Sequence, residues 1–398
     1  MTFSKLPVRS ALLSGLLGLP LLGAAQSSPN TITTAVPILT ISPDSRSAAL
    51  GEAGVAISPD ANSAYYNAGK LGFVPNKYSF SPSYTPWLAS ITDDMGLAYL
   101  SGYAKTGSRS AISASLMYFN LGEIQFRDFQ NVAGPTFSPK EYAFTVAYGQ
   151  KLTDNFGVGV AARYIRSNLT DGGSTDFKPG NAAAVDLGAY YNKDLSLGAA
   201  DYNLALGASI TNIGNKITYT NPRQADFLPT TLKLGTAITR ELDAYNKLTF
   251  TVDFAKLLVP SPYYIEGDTT FLKKSINANN EARRRKGVVA AALGSFSDAP
   301  GGFREELREV NISAGAEYTY NDLLMARVGY FYENPVKGDR NYLSFGLGVR
   351  YQVFGVDGAY LVPNSKANPL AQTIRVSLHF NFNKLDEAFG DGTETPVN

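Results

Sequence analysis

Along most of this chain apolar and small or polar residues alternate one by one. Tyr142, Phe144, Val146 and Tyr148 are separated by Ala143, Thr145 and Ala147, with Gly149 following. Phe156, Val158, Val160, Ala162 and Tyr164 are interleaved with Gly157, Gly159, Ala161 and Arg163. The same period of two runs through Leu248–Phe254, Leu343–Tyr351 and Ile374–Phe382. That period sends successive side chains to opposite faces of a β-strand. It predicts fourteen strands, at 77–85, 95–105, 109–120, 141–152, 156–167, 182–193, 201–213, 230–240, 246–257, 309–320, 323–334, 341–351, 353–361 and 371–382.

The connections carry a second pattern. Those at 105–109, 153–155, 194–200, 242–245, 321–322 and 352 are short. Those at 121–140, 168–181, 214–229, 258–308, 335–340 and 362–370 are mostly longer. Short and long alternate without a slip, as the periplasmic turns and extracellular loops of a membrane barrel do. A soluble β-sandwich is the competing architecture. Its solvent face would carry Lys and Glu, whereas here the polar face is Gly, Ala, Ser and Thr, and aromatic residues gather near strand ends as interface girdles do. No run past the N-terminus is apolar enough for a spanning helix, so membrane segments must be strands. The expectation is an all-β chain: a transmembrane antiparallel β-barrel of about fourteen strands.

The stretch 35–73, ahead of the first strand, shows no sustained period and is rich in Ala, Gly, Ser and Asn. Small residues suit close packing, and the segment is expected to fill the lumen as a plug. The first strand rises from the periplasm, so parity expects the segment to start on that side. Residues 1–25 read as a signal peptide, with Lys5 and Arg9 ahead of an apolar run and Gly23-Ala24-Ala25 before the expected cleavage. The expected organisation is therefore signal peptide at 1–25, N-terminal periplasmic segment and luminal plug at 26–76, barrel at 77–382 and polar periplasmic tail at 383–398. The expected location is the outer membrane of a Gram-negative bacterium.

Composition agrees: 24 Tyr, 22 Phe and 37 Gly, 17% charged residues and no Cys in 398 residues. A net charge of +1 gives no case for nucleic acid. Inward positions include Arg163, Asp186, Lys233, Asp253, Glu317, Arg327, Arg350, Asp357 and Arg375. Their signs balance, whereas an ion-selective pore is biased toward one sign. They are expected to pair with one another and with the plug.

In the loops, Phe126, Phe129 and Phe137 have no obvious core to join, and they suggest protein contact or packing over the barrel mouth. Arg283, Arg284 and Arg285 sit in the longest connection, read as a partly helical lid or a docking surface. Trp87 is expected in an interface girdle. Catalysis is not expected. His379 is the single histidine, and Ser377 two residues away on a strand is about 7 Å off, beyond proton-transfer reach. One His and no Cys leave no metal constellation, and no cofactor is implied.

The segment Ser45-Arg46-Ser47-Ala48-Ala49-Leu50-Gly51-Glu52-Ala53-Gly54 with Ser63-Ala64-Tyr65-Tyr66-Asn67-Ala68-Gly69-Lys70-Leu71 resembles the hatch of the FadL-type outer-membrane family. Gly51, Ala53, Gly54, Ser63, Asn67 and Leu71 match its motif, while Ala68 stands where the family has Pro. The opening VPILTISPDSRSAALGEAGVA, the strand GLAYLSGYAK and NLGEIQFRD resemble the branch of that family that serves type IX protein secretion. This implies a non-enzymatic role beside the type IX translocon barrel. Such a protein receives cargo bearing a folded C-terminal signal domain. It passes that cargo to a surface sortase complex, which attaches it to lipopolysaccharide. The alternatives are a FadL-like transporter of hydrophobic small molecules and a purely structural barrel.

Overall fold

The computed structural model describes residues 30–89, 92–127, 129–169, 178–198, 200–220, 224–263, 270–364 and 373–383. The signal peptide expected at 1–25, and the tail beyond residue 383, lie outside the described residues. The strands in chain order are β1 (Tyr78–Pro86), β2 (Met95–Lys105), β3 (Ser110–Leu121), β4 (Ile124–Arg127) and β5 (Ala133–Phe137). Then come β6 (Lys140–Lys151), β7 (Phe156–Asn168), β8 (Gly180–Leu197), β9 (Ala200–Gly214), β10 (Thr231–Glu241) and β11 (Asn246–Leu257). The last five are β12 (Val310–Tyr320), β13 (Leu324–Tyr332), β14 (Tyr342–Tyr351), β15 (Phe354–Pro363) and β16 (Ile374–Phe382). All except β4 and β5 form one closed barrel of fourteen strands, in which β1 pairs with β16.

Every barrel neighbour is antiparallel, and the alternation read from the sequence decides which side chains face out. Leu234, Ile238, Phe250 and Phe254 are exposed on the outer wall, while Ala237, Thr251 and Asp253 between them are buried. A closed barrel satisfies all backbone groups between strands and leaves no edge, which a bilayer requires. At one end the chain reverses in tight turns. Asn321 and Asp322, both at φ 51°, supply the mirror-image turn that fits the twist of a hairpin. The other end carries the long loops.

The wall closes on residues 36–74, which include the short helices α1 (Ser45–Ala49) and α2 (Ser63–Tyr66) and the helical turns Pro37–Thr40 and Ala68–Phe73. Inward glycines let the plug backbone lie directly against the wall. Gly149 is opposite Gly159, and Gly159 opposite Gly188. Gly207 is opposite Gly235, and Gly315 opposite Gly329. A Cβ on Gly159 would come within 2.3 Å of the Ala68 carbonyl, and one on Gly329 within 2.0 Å of the Gly51 nitrogen. The small inner face seen in the sequence is the footprint of the plug.

Four features differ from the sequence reading. The β8–β9 hairpin runs on to Leu197 and Ala200, where 194–200 reads as a turn. Asn192 and Asn203 bond across it, as do Ser196 and Asp201, so polar side chains extend the ladder. The 121–140 loop contains the separate β4–β5 hairpin, too short and too polar to announce itself by alternation. Trp87 turns inward at the long-loop end, its ring 5.5 Å edge-on from the buried Phe119, and so is not a lipid-facing girdle residue. Finally, the described part of the segment ahead of β1, from Asn30 on, does not start at the short-turn end. Asn30 donates its backbone N–H to Val336 O (2.8 Å) among the long loops, and Ala35 to Phe227 O (2.9 Å). The chain descends through the lumen and enters β1 at the short-turn end. Parity constrains only the residues that adjoin β1, which is why it missed the starting point.

Candidate functional site

The plug is tied to the wall on nearly every side. Ser45 donates its N–H to Ser377 Oγ (2.9 Å), and Ser377 Oγ is 2.7 Å from Ser83 Oγ. Gly51 N–H donates to Ser344 Oγ (3.1 Å). Both Gly54 and Val55 donate to Asp253 Oδ2, at 2.7 and 2.9 Å. Asn67 Nδ2 reaches Ala189 O (2.8 Å) on β8, and Ser101 Oγ donates to Ala61 O (2.7 Å). Tyr342 donates to Glu52 Oε1 (2.6 Å), and Arg375 to Ser42 O. These bonds join the plug to β2, β8, β11, β14 and β16, and through Ser377 to β1.

Arg46 of α1 anchors the strongest of these ties. Its Nε and Nη2 make a two-pronged bond to Glu317 (3.0 and 2.9 Å), and its Nη1 reaches Asp60 (3.0 Å). Glu317 accepts from Arg327 Nε (2.6 Å), and Arg327 pairs with Asp357 (2.9 Å). Asp357 also holds Arg350 (2.7 Å), and His379 Nε2 lies 2.7 Å from it. One chain of alternating charges therefore runs from the plug across β12, β13, β14 and β15, with His379 of β16 at its end. Burial alone would lower the Arg46 pKa, but Glu317 and Asp60 reverse that and raise it. Burial raises the Asp44 carboxyl, with Asp60 adding to the effect. Tyr66 (2.6 Å) and Ser47 N–H (3.0 Å) donate to it. Burial pushes the Lys70 ammonium down to about 8 although Asp60 opposes it, and Lys70 donates to Gly54 O (2.9 Å).

The balanced inward charges expected from the sequence are thus brought together, with Arg163 and Asp186 forming a separate pair at 2.8 Å. That pair braces the point where the β8–β9 ladder shifts register beside Asn212, whose N–H donates to Asp186 (2.6 Å). The motif residues Gly51, Ala53, Gly54, Ser63, Asn67 and Leu71 all lie in the plug. Gly54 packs against the Tyr66 ring, where a Cβ would meet it at 2.4 Å. Arg46, Asp60 and Lys70 escape a sequence reading because the plug has no period from which to infer facing. Their only signal is charge inside a small-residue segment.

Above the plug, toward the long loops, is a cavity of about 380 Å³ lined by residues 31–34 and by Lys233, Asp253, Glu309, Lys337 and Arg340. Ile32, Pro37, Leu39, Ala255, Leu257 and Phe331 also line it, so charged and apolar side chains share the lining.

The long-loop rim is built differently. Phe129, at the tip of the β4–β5 hairpin, is fully exposed and Val132 near it is exposed too, while at the base exposed Ile124 pairs with half-buried Phe137. Phe126 lies in β4, its side chain outside the described residues. The loop after β11 folds into α3 (Thr270–Arg284), α4 (Val288–Gly294) and α5 (Phe303–Arg308). Arg283 is an internal clasp, donating to Ser261 O and Asp298 O (2.9 Å), so it is unavailable to a partner. Arg284 and Arg285 remain exposed, Arg285 pairing with Glu281 one turn back.

Among curated proteins none matches the chain. Solved structures similar to the chain include the Ralstonia pickettii toluene transporter TbuX, 12% identical with a TM-score of 0.46, covering 85% of this chain and 98% of that one. The Pseudomonas putida toluene transporter TodX is 11% identical with a TM-score of 0.47, covering 85% of this chain and 97% of its own. A Pseudomonas aeruginosa FadL homologue is 10% identical with a TM-score of 0.41, covering 89% and 100%. The family model described as type IX secretion system protein PorV matches residues 24–264, more than half of the chain. This protein, a closed fourteen-stranded β-barrel, belongs to the PorV family of type IX secretion system proteins.

Proposed function

We propose that the protein is a non-enzymatic shuttle of type IX secretion. In this role it receives folded cargo from the translocon at its long-loop rim and hands it to the surface attachment complex. The observation that carries the reading is the contrast between a lumen filled by the bonded plug and a rim with large apolar side chains exposed. The plug is bonded to at least six strands and locked by buried ion pairs, which suits a fixed stopper. A folded domain therefore has only the rim to bind. There the β4–β5 hairpin presents Phe129 and Val132 to solvent at its tip and Ile124 at its base, exposed apolar side chains of the kind that anchor a partner.

The transporter reading is less well supported. It calls for a dominantly apolar pocket beside the hatch, and in the cavity there Ile32, Leu39, Leu257 and Phe331 share the lining with Lys233, Asp253, Glu309, Lys337 and Arg340. The test is removal of residues 123–138, or Phe129→Ser with Val132→Ser, in the full chain within its native membrane. Cargo capture should fall by at least tenfold, the loss of one anchor of about 1.4 kcal/mol or more. Heat-resistant migration of the barrel should be unchanged. Undiminished cargo capture by the hairpin deletion would remove the rim assignment.

A further inference from the structure

The α4–α5 segment carries an apolar face that the shuttle role does not use. Leu293 and Val289 lie one turn apart on α4, and Phe303 and Leu307 one turn apart on α5. Helical spacing of four puts each pair on one face. Leu293 is 73% exposed and Phe303 75%, more than the lipid-facing Phe254 of the barrel wall at 46%. Phe296 adds a second exposed ring.

The orientation is fixed by the other side of α5. Glu306 is buried and accepts from Lys256 Nζ (2.8 Å) and from Ala299 N–H (2.8 Å). Glu305 pairs with Lys337, and Glu309 with both Lys256 (2.7 Å) and Lys337 (3.0 Å). These ties hold α5 against the rim above β11 and β12 and turn Phe303 and Leu307 outward.

Phe296, Phe303 and Leu307 then line a groove of about 230 Å³ together with Leu232, Leu234 and Phe254 of the outer wall. Leu234 and Phe254 are outward-facing strand residues, so the groove is continuous with the lipid-facing belt. Phe254 is three residues from the long-loop end of β11, so the groove lies at the loop-side edge of that belt. Arg304 and Arg308 stand next to the apolar pair, exposed and without a partner among the described residues. An apolar face flanked by cations at that level has the form of an interfacial, membrane-lying helix.

The geometry points to a lipid-binding shelf: α4 and α5 lie in the outer leaflet, an acyl chain of an anionic lipid occupies the groove under Phe303 and Leu307, and Arg304 and Arg308 hold its headgroup. The shelf would moor the long loop to the membrane and fix one side of the rim.

Phe303→Trp and, separately, Leu293→Trp in the full chain, reconstituted in nanodiscs, test the idea. Trp87 packs on Phe119 in the lumen and serves as the internal reference. Lipids brominated on the acyl chain should quench the added tryptophan and leave Trp87 emission unchanged. Arg304→Gln with Arg308→Gln should reduce enrichment of phosphatidylglycerol over phosphatidylcholine by about fivefold per arginine, the equivalent of roughly 1 kcal/mol for one cation near an anionic surface. If both added tryptophans are quenched by aqueous iodide and not by bromolipid, the shelf is overturned. Protection from iodide that appears only with purified cargo or translocon would overturn it in favour of a protein surface. Acyl quenching with unchanged lipid preference would overturn the headgroup assignment.

Discussion

The plug–wall interface and the long-loop rim are built from similar residue types but follow opposite logic. In the lumen, Arg46, Glu317, Arg327 and Asp357 are buried and each has an opposite charge within 3 Å. At the rim, Arg304 and Arg308 are exposed, and large apolar side chains such as Phe129, Leu293 and Phe303 face outward. Buried charges that lose a partner are expensive, so the lumen is arranged to stay as it is. Unsatisfied apolar area is what a surface keeps when something else is to cover it. The difference separates what holds the molecule from what the molecule can hold.

The largest test of that division is Glu317→Ala. It leaves Arg46 and Arg327 buried side by side without their shared carboxylate, and should cost about 3–5 kcal/mol of plug docking. A lower unfolding midpoint in detergent and entry of a normally excluded antibiotic would follow; unchanged permeability would mean the plug is not held by this network.

Next in size is Gly329→Val. Its Cβ would meet the Gly51 nitrogen at 2.0 Å, and displacing that backbone should cost about 1–3 kcal/mol by the same assays. Gly358, with open space at its Cβ position, is the control: Gly358→Ala should pass unnoticed.

Lys70→Met acts with the opposite sign. Lys70 has its pKa lowered from 10.5 to about 8 by burial, so the folded state pays for its charge at neutral pH. Below about 8 both folded and unfolded chains are protonated and the penalty is whole. Between about 8 and 10.5 the unfolded chain binds more protons, so stability rises with pH; above 10.5 both are neutral. Lys70→Met should therefore stabilise at neutral pH by at most about 3 kcal/mol. The lost bond to Gly54 O offsets about 1 kcal/mol of that. The advantage should fade as pH climbs through that window, and a pH-independent difference would contradict the assignment.

The smallest effect on stability belongs to Phe129→Ser. An exposed tip residue should stay within about 0.5 kcal/mol of the parent midpoint, whatever happens to cargo. A large drop would show that the hairpin packs on the barrel after all.

The alternation in β6, β7, β11, β14 and β16 was legible because period two is enforced by the pleat and by two chemically different sides of one wall. Turn parity was legible for a related reason: a closed antiparallel barrel must return the chain to the same end every second strand. Arg283 shows where such reading stops. Nothing in EARRRKG distinguishes it from Arg284 and Arg285, yet only Arg283 reaches back to Ser261 and Asp298. Trp87 and the β4–β5 hairpin failed likewise, since both depend on what the loops fold against.

Local pattern therefore set the barrel, its strand number, the inward balance of charge and the small inner face, each of which recurs with a short period along the chain. Tertiary structure alone decided that Arg46 pairs with Glu317, 271 residues away, and that Asp253 caps Gly54 and Val55. It alone decided that the plug starts among the long loops and descends. The physical reason is that the plug is an aperiodic segment surrounded by wall. Its conformation comes from the glycines, serines and charges that encircle it, and those meet only when the barrel closes.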